Sequence, residues 1–136
     1  MSMERSPIHV ERMRLRWGEL DALRHLNNVS YFRYFEQARL SWFERLGFDY
    51  VRDEEGALLG SIDCRFIRPV LYPADLAIEL RPGRVGSASF VLEHRMRPDT
   101  ADSPVFAEGA ATLVWVNLAE GRSRPLPAHM RALLAG

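Results

Sequence analysis

The stretch WGELDALRHLNNVSYFRYFEQARLSWFERLG, residues 17–47, decides the fold. Its first part is a loop that shows no hydrophobic periodicity and carries a polar cluster of Glu19, Asp21, Arg24, His25, Asn27 and Asn28. We expect Asn27 or Asn28 to be the N-cap of a helix, because a short polar side chain can accept a hydrogen bond from an N–H of the first turn. We expect that helix to end at Gly47, because a glycine readily adopts the left-handed backbone conformation that terminates helices. A polar cluster that leads directly into an apolar helix indicates that the loop has a function.

The helix itself is more apolar than a surface helix needs to be. One stripe at helical spacing contains Val29, Phe32, Phe35, Arg39, Trp42 and Leu46, and further aromatic and aliphatic residues widen it. We therefore expect the helix to be buried on most sides. Glu36 falls in line with Phe32 and Leu40, and a carboxylate in an apolar stripe has to be paired or held neutral. We favour a buried ion pair of Glu36 with an arginine such as Arg39.

The rest of the chain alternates between apolar and polar residues with the period of a strand. We expect a strand at about 8–17, with a bulge where the phase slips at Glu11–Arg12. Further strands are predicted at 58–67, 76–81, 88–97 and 105–117, and a short helix at 125–134. Because the connecting turns are short, the strands must be mostly antiparallel.

These elements predict an α+β fold in which one curved antiparallel sheet of about five strands wraps around one long central helix, with a short C-terminal helix. We expect residues 1–136 to form a single domain whose first residues, 1–7, are flexible. A single open sheet leaves an unpaired edge, so we also expect subunits to associate.

Composition excludes several kinds of function. The 136 residues carry 18 acidic and 18 basic side chains, so bulk charge indicates neither a nucleic-acid nor a membrane partner. All the cations are arginines, which excludes lysine Schiff-base chemistry. Cys64 is the only cysteine and the four histidines lack ligand spacing, so we expect no disulfide, metal or other cofactor. Cys64 fits a core position better than a nucleophile. With no apolar leader and no long apolar run, we expect a cytoplasmic protein.

The motifs of this chain resemble those of hotdog-fold thioesterases, in the branch of 4-hydroxybenzoyl-CoA thioesterase and the long-chain acyl-CoA thioesterases. Residues 17–39 are similar to the family pattern aromatic-x-D-x-D-x-x-G-H-x-N-N-x-x-Y, followed by a helix with Y-x-E-x-A-R. A weaker match is Tyr72-Pro73-Ala74-Asp75, which is similar to the family's P-x-x-x-G-D turn. The resemblance covers about residues 8–134.

The resemblance implies hydrolysis of an acyl-CoA thioester to the free acid and CoA, as in fatty acid metabolism. Asp21 falls on the family's catalytic aspartate, as general base or nucleophile, and the backbone N–H of Asn28 falls on its oxyanion donor. Spacing alone favours a different role for Asp21, an Asx-turn that shapes the loop. His25 either orients Asp21 or polarises the substrate, or it closes the loop through a hydrogen bond.

Three positions depart from the family pattern. Glu19 replaces an aspartate, and we expect its role to be structural. Arg24 replaces a glycine, which either changes the backbone of the turn or offers a cation to the substrate. Leu23 stands where plant acyl-carrier-protein thioesterases have a catalytic asparagine, so that version of the mechanism does not apply.

The resemblance also implies partners and a substrate pocket. We expect a homodimer or homotetramer, with the acyl group between the central helix of one subunit and the sheet of its neighbour. Tyr31 and Ser61 are candidates to line this pocket, and Glu36 is an alternative carboxylate for the chemistry. Several arginines could bind the CoA phosphates: Arg65, Arg68, Arg84, Arg95, Arg97, Arg122 and Arg124.

Two other functions remain open from the sequence. One is a hotdog hydratase or dehydratase, but the segment from Asp21 to His25 lacks the D-x-N-P-x-H pattern of those enzymes. The other is a protein that binds acyl-CoA without hydrolysing it, which the presence of Arg24 in place of glycine favours and the presence of Asp21 opposes.

Overall fold

The computed structural model describes residues 5–135 and contains one antiparallel sheet and two α-helices. The elements are β1 (His9–Arg14), α1 (Asn28–Arg45), β2 (Glu55–Ile62), β3 (Arg65–Phe66), β4 (Asp75–Val85), β5 (Ser89–Pro98), β6 (Ala107–Asn117) and α2 (Ala128–Ala135). The strand order is β1-β4-β5-β6-β2, and the two-residue β3 pairs with β6 beyond the end of β2. The predicted fold is confirmed: one antiparallel sheet packs on one long helix, and a short helix ends the chain.

The core lies between α1 and the face of the sheet that it covers. Along β4, alternate residues Leu76, Ile78 and Leu80 are fully buried on this face. From α1, Phe35 and Ala38 are fully buried and Trp42 nearly so. Side chains at this spacing form one stripe of the helix, so the helix is fixed to the sheet by hydrophobic burial rather than by intrinsic propensity.

The ends of α1 agree with the sequence prediction. Asn27 is the N-cap, and its side-chain oxygen accepts a hydrogen bond from the N–H of Val29 at 2.9 Å. Gly47 follows the helix with φ +90°, the left-handed region that a Cβ atom disfavours. The local chemistry of these two residues therefore sets the length of α1.

The prediction that α1 is buried on most sides was too broad. One stripe of it, made of Val29, Arg33, Glu36, Leu40 and Glu44, is exposed. Glu36 was expected to form a buried ion pair, and this was wrong because its side chain is exposed and forms no ion pair with the described residues. Arg39, by contrast, is only 6% exposed.

The predicted bulge in β1 is also wrong. His9 lies opposite Leu80 and Glu11 opposite Ile78, in a register that continues without a shift to Arg14. The polar residues therefore lie on the core side, where the ring nitrogen Nε2 of His9 lies 2.8 Å from a carboxylate oxygen of Glu11. Because that contact pairs the imidazole ring with a carboxylate, no slip is needed to turn the two side chains outward, although Nδ1 of His9 is buried without a partner among the described residues. Register shifts occur instead in β2, between Leu59 and Ser61, and in β4.

Several boundaries differ from the sequence prediction by a few residues. β1 ends at Arg14 because the chain turns at Trp17–Glu19 into a 3-10 helix, and α2 begins at Ala128 rather than 125.

Residues 1–4 of the segment expected to be flexible lie outside the described residues. Arg5 is held at both ends: its guanidinium donates to the carbonyl of Leu134, and its own carbonyl accepts from Arg81. A single domain over the whole chain stays a prediction.

Candidate active site

The polar loop between β1 and α1 is held in place by its own backbone. The N–H of Asp21 donates to the carbonyl of His25 at 2.8 Å, and the N–H of Arg24 donates to the carbonyl of Asp21 at 2.9 Å. Leu26 anchors the end of the loop, because its N–H donates to Val70 and its side chain is buried in the core. The result is a tight turn with a fixed orientation at the N-terminus of α1.

Asp21 shapes this turn with one of its carboxylate oxygens. Oδ1 accepts hydrogen bonds from the N–H of Leu23 at 2.9 Å and from the N–H of His25 at 3.2 Å. The Asx-turn considered from the sequence is therefore present. The second oxygen, Oδ2, accepts no hydrogen bond from the described residues, so the turn leaves half of the carboxylate available for chemistry.

The first turn of α1 leaves one backbone donor unused. The cap of Asn27 occupies the N–H of Val29, and the N–H of Ser30 donates to the carbonyl of Asn27. The N–H of Asn28 has no acceptor among the described residues. It lies at the positive end of the helix dipole, a position that favours a developing negative charge.

A cavity of about 410 Å³ brings the predicted residues together. Asp21, His25, Asn28 and Tyr31 all line it. Tyr31 is 2% exposed, and its burial raises the pKa of its hydroxyl. Asp21 also borders a second cavity of about 430 Å³, which is lined by Trp17, Gly18, Leu20 and Arg24. The carboxylate therefore stands between two openings in the surface.

Glu19 has a structural role in this arrangement. Its side chain accepts a short hydrogen bond from the hydroxyl of Tyr34, and its carbonyl accepts from the N–H of Asn27. Burial and this contact raise the pKa of Tyr34 to about 12. The hydroxyl of Tyr34 in turn accepts from the N–H of Arg16 at 3.1 Å. The loop is thus fastened to the first turns of α1, which fixes Asp21 relative to the Asn28 N–H.

The structure places three other candidates outside the Asp21 cavity. Glu36 is exposed, two turns further along α1, and Ser61 is exposed on β2. Cys64 is half-buried against the core, and burial raises the pKa of its thiol to about 11. A thiol held neutral in this way agrees with a packing role rather than a nucleophilic one.

Two residues of the cavity were not singled out by sequence reasoning. Phe66 stacks edge-on against Tyr31, with ring centroids 4.9 Å apart, and forms an apolar wall. Arg68 is exposed at the same cavity, and no ion pair with the described residues occupies its guanidinium. The sequence placed Arg68 among seven equivalent arginines, and only the turn after β3 brings it to the cavity that Asp21 also lines.

Two classes of site find no support in the described part of the chain. Residues 5–135 contain no group of histidine, cysteine, aspartate or glutamate side chains that could hold a metal ion. Within the same range, no helix is long and apolar enough to span a membrane.

Comparison with known proteins places the chain in a family. The thioesterase-like superfamily matches residues 15–134, which include the loop, α1 and every described strand except β1. The chain belongs to the thioesterase-like superfamily. This membership confirms the resemblance to hotdog-fold thioesterases, while the assignment to the 4-hydroxybenzoyl-CoA or long-chain acyl-CoA branch stays a prediction.

Individual relatives of this thioesterase-like protein agree with that assignment. The uncharacterized protein YsmA of Bacillus subtilis (strain 168) is 30% identical over 112 residues, which is 82% of this chain and 75% of YsmA. The structure of PA2801 from Pseudomonas aeruginosa, itself a provisional thioesterase, is 40% identical and superposes with a TM-score of 0.88. That alignment covers 93% of this chain and 98% of PA2801.

A more distant structure shows the fold alone. Slr0204, a 1,4-dihydroxy-2-naphthoyl-CoA thioesterase from Synechocystis, is 13% identical and has a TM-score of 0.81, covering 93% of this chain and 95% of Slr0204. Family membership, together with the cavity at Asp21, supports thioester hydrolysis as the class of chemistry for this thioesterase-like protein.

Proposed function

We propose that the protein hydrolyses an acyl-CoA thioester to a carboxylic acid and free CoA. The observation that carries the proposal is that Asp21, which has an unused carboxylate oxygen, and Asn28, which has an unused backbone N–H, both line one cavity of about 410 Å³. Thioester hydrolysis requires a base or nucleophile on one side of the carbonyl carbon and a donor at the carbonyl oxygen. These two groups supply those functions.

In this mechanism the thioester carbonyl oxygen accepts a hydrogen bond from the Asn28 N–H. Asp21 Oδ2 either takes a proton from an attacking water or attacks the carbonyl carbon itself. The negative charge that develops on the carbonyl oxygen is stabilised by the N–H and by the dipole of α1, and the C–S bond breaks to release the CoA thiolate. When Asp21 is the nucleophile, this step leaves a mixed anhydride between Asp21 and the acyl group, which water then hydrolyses to the free acid and the Asp21 carboxylate. The backbone N–H of His25 donates a hydrogen bond to Oδ1 of Asp21 at 3.2 Å. His25 can therefore hold the Asp21 side chain in place without a contact from its imidazole ring.

The walls of the cavity indicate how the substrate lies. Tyr31 and Phe66 form an apolar surface suited to the first carbons of the acyl group. Arg68 offers a cation at the exposed rim, which suits the phosphates of CoA. CoA as the leaving group also agrees with the named activity of Slr0204, a distant structural relative. Arg24, at the second opening beside Asp21, is a further cation within reach of a bound CoA.

We propose in addition that the active unit is a homodimer that pairs along β2. This strand is an edge of the sheet, and Leu58 and Leu59 on it are 44% and 47% exposed. Phe66 and Ile67 continue the apolar surface along the same edge at 46% and 45% exposure. An exposed apolar edge strand is a surface that proteins normally cover. A cytoplasmic location for this dimer stays a prediction.

The test is thiol release from a panel of short, long and aromatic acyl-CoAs by the wild type and by Asp21→Asn. Asparagine keeps an oxygen for the turn but cannot act as a base or nucleophile, so we expect hydrolysis to fall by about a hundredfold or more. Asp63→Asn is the matched control, since Asp63 also accepts a backbone hydrogen bond through Oδ1 but lies outside the cavity.

Two results would contradict the proposal in different ways. Hydrolysis that survives Asp21→Asn would move the chemistry to another carboxylate, such as Glu36. A wild type that binds acyl-CoA in calorimetry but releases no thiol would instead be an acyl-CoA-binding protein, the alternative that Arg24 favours.

A further inference from the structure

Asp21 lines a second cavity, of about 430 Å³, in addition to the one that it shares with Asn28. The carbonyl carbon of a thioester carries two substituents, the acyl chain and the sulfur, and Asp21 has to lie beside that carbon to act on it. Because Tyr31 and Phe66 suit the acyl chain in the first cavity, the second cavity is left for the thiol side of the substrate. The other residues that line it are Trp17, Gly18, Leu20 and Arg24.

Arg24 gives this second cavity a positive charge. Its guanidinium is exposed and forms no hydrogen bond or ion pair with the described residues. Asp21 is the only carboxylate among the residues that line the cavity, and in the proposed mechanism it faces the thioester. Glu19 does not line the cavity, because its carboxylate accepts a hydrogen bond from the hydroxyl of Tyr34. Arg24 is therefore free to bind a phosphate group.

Trp17 gives the same cavity a flat apolar surface. Its side chain is 72% exposed, and its indole makes no ring contact or hydrogen bond with the described residues. The two other tryptophans, Trp42 and Trp115, are each 2% exposed. A free indole next to a free guanidinium fits a nucleotide, because bases stack on aromatic rings and phosphates bind arginine.

The pantetheine arm of CoA is long enough to join this nucleotide site to a thioester at Asp21. About thirteen bonds separate the sulfur of CoA from its first phosphorus, and an extended chain advances by roughly 1.2 Å per bond, so the arm spans up to about 16 Å. Arg24 lies in the same turn as Asp21, since its N–H donates to the carbonyl of Asp21 at 2.9 Å. An arginine side chain reaches roughly 7 Å from its Cα atom. The arm can therefore cross the cavity and place its phosphates at the guanidinium.

We propose that Trp17 and Arg24 bind the nucleotide end of CoA, with the indole stacked on the adenine and the guanidinium on a phosphate. These two residues then determine specificity for the leaving group, because thioesters of pantetheine lack the nucleotide. The phosphates go to Arg24 rather than to Arg68, since Arg68 lines the cavity assigned to the acyl group. This inference rests on the proposed thioesterase function and names the thiol that the site selects.

The first test measures binding and requires no hydrolysis. Because Trp42 and Trp115 are buried, the solvent-exposed component of the tryptophan fluorescence comes from Trp17, and adenine stacking should quench it. We expect quenching by CoA and by adenosine 3′,5′-bisphosphate but not by pantetheine at the same concentration. The quenching should disappear in Trp17→Phe, and Arg24→Gln should weaken the apparent affinity about tenfold through loss of a charged hydrogen-bond donor.

The second test compares a CoA thioester with the pantetheine thioester of the same acyl group. We expect wild-type kcat/KM to be at least about tenfold higher for the CoA thioester. Trp17→Ala and Arg24→Gln should each raise KM for the CoA thioester about fivefold or more and leave kcat within about twofold, because the chemistry at Asp21 is unchanged. The pantetheine thioester should be unaffected, and Arg24→Lys should keep part of the preference.

The controls separate recognition from folding. Arg33→Gln removes an exposed arginine that lines neither cavity, and it should change neither the titration nor KM. Arg24→Gly relieves the left-handed conformation at φ +62° and should stabilise the chain, so a loss of CoA preference in this variant cannot come from unfolding. Thermal melting verifies the fold of each variant.

Three kinetic outcomes would overturn the proposal. Equal kcat/KM for the two thioesters in the wild type would show that the nucleotide is not recognised. An equal loss with both thioesters in Trp17→Ala would make the role of Trp17 structural. Loss of the preference in Arg68→Gln but not in Arg24→Gln would place the phosphates at the rim of the acyl cavity.

The fluorescence titration keeps this proposal separate from the thioesterase proposal. If the wild type hydrolyses neither thioester, the thioesterase proposal fails and the titration decides the nucleotide site. Quenching by CoA and not by pantetheine, abolished in Trp17→Phe, supports the site. Equal quenching by both compounds, or none, overturns it.

Discussion

At the scale of single residues, Asp21 combines the two roles that the sequence set against each other. One carboxylate oxygen holds the turn through the N–H groups of Leu23 and His25, while the other accepts no hydrogen bond from the described residues. A residue that shapes the loop is thereby held rigidly where it can react. This is why Asp21→Asn is a clean test: the turn can persist while the base is lost.

Arg24 is the residue at which the loop is strained. It adopts φ +62°, the left-handed region, at the position where the resembling family has glycine. A side chain in this conformation costs roughly 1–2 kcal/mol. Such strain persists at functional sites when the side chain has a use.

We predict that Arg24→Gly raises the free energy of unfolding by roughly 0.5–1 kcal/mol, because relief of strain outweighs the greater backbone entropy of glycine in the unfolded chain. Arg24→Ala is the control, since it removes the same charge and keeps the Cβ atom. Urea unfolding measures both. If alanine stabilised the protein as much as glycine does, the gain would come from loss of the charge and not from backbone strain.

At the scale of elements, α1 connects the candidate active site to the core of the molecule. Its N-terminus presents the Asn28 N–H, and three turns later Arg39 crosses to His94 on β5. Phe35 lies against the same histidine ring, with centroids 4.8 Å apart. This polar contact within an apolar core fixes the helix on the sheet, and it depends on a neutral imidazole.

Stability should therefore fall in mild acid. The pKa of His94 is about 3 in the folded protein, against 6.5 for an ordinary histidine, so only the unfolded chain takes up this proton as the pH falls below about 6.5. The free energy of unfolding then decreases with falling pH by up to about 1.4 kcal/mol per pH unit. Thermal melting between about pH 5 and pH 6.5 should show this slope, and His94→Gln should flatten it.

His129→Gln is the control for this measurement, because His129 is exposed on α2 and stacks on Phe48. The pH dependence of stability should persist in His129→Gln and flatten in His94→Gln. A slope of the same size in His94→Gln would show that other groups cause the acid sensitivity.

At the scale of the whole molecule, the β2 edge is the surface along which we propose that two subunits pair. Phe66 lines the Asp21 cavity and is exposed on this same apolar edge, so a second subunit paired there would cover part of the cavity. In a two-fold symmetric interface each residue near the axis meets its own copy. A charge placed at that point should repel itself.

We predict that Gly60→Asp converts a dimer to a monomer and lowers thioesterase activity with it. A Cβ atom at Gly60 would meet the carbonyl of Thr112 and a methyl of Val114 no closer than 3.4 Å, so the single subunit can accept the change. Size-exclusion chromatography with light scattering measures the assembly. Ser87→Asp, at the exposed turn between β4 and β5, is the control and should leave it unchanged. A dimer that persists in Gly60→Asp would place the interface elsewhere.

The sequence by itself determined the features that depend on neighbouring residues. Asn27 and Gly47 define the ends of α1 through local hydrogen bonding and backbone conformation, and both were readable in advance. The alternation of apolar and polar residues, with short turns between the strands, determined an antiparallel sheet. The motif around Asp21 determined the superfamily. Each of these signals lies within a few residues along the chain.

Only the tertiary structure decided the features that depend on contacts between distant parts of the chain. Glu36 and Arg39 lie one turn apart in the same apolar pattern, yet the sheet covers Arg39 and leaves Glu36 exposed. The same holds for Arg68, which lines the same cavity as Asp21 only because the turn after β3 lies beside the loop. Burial is a property of the packed molecule, and no local pattern states which side of a helix the sheet will cover.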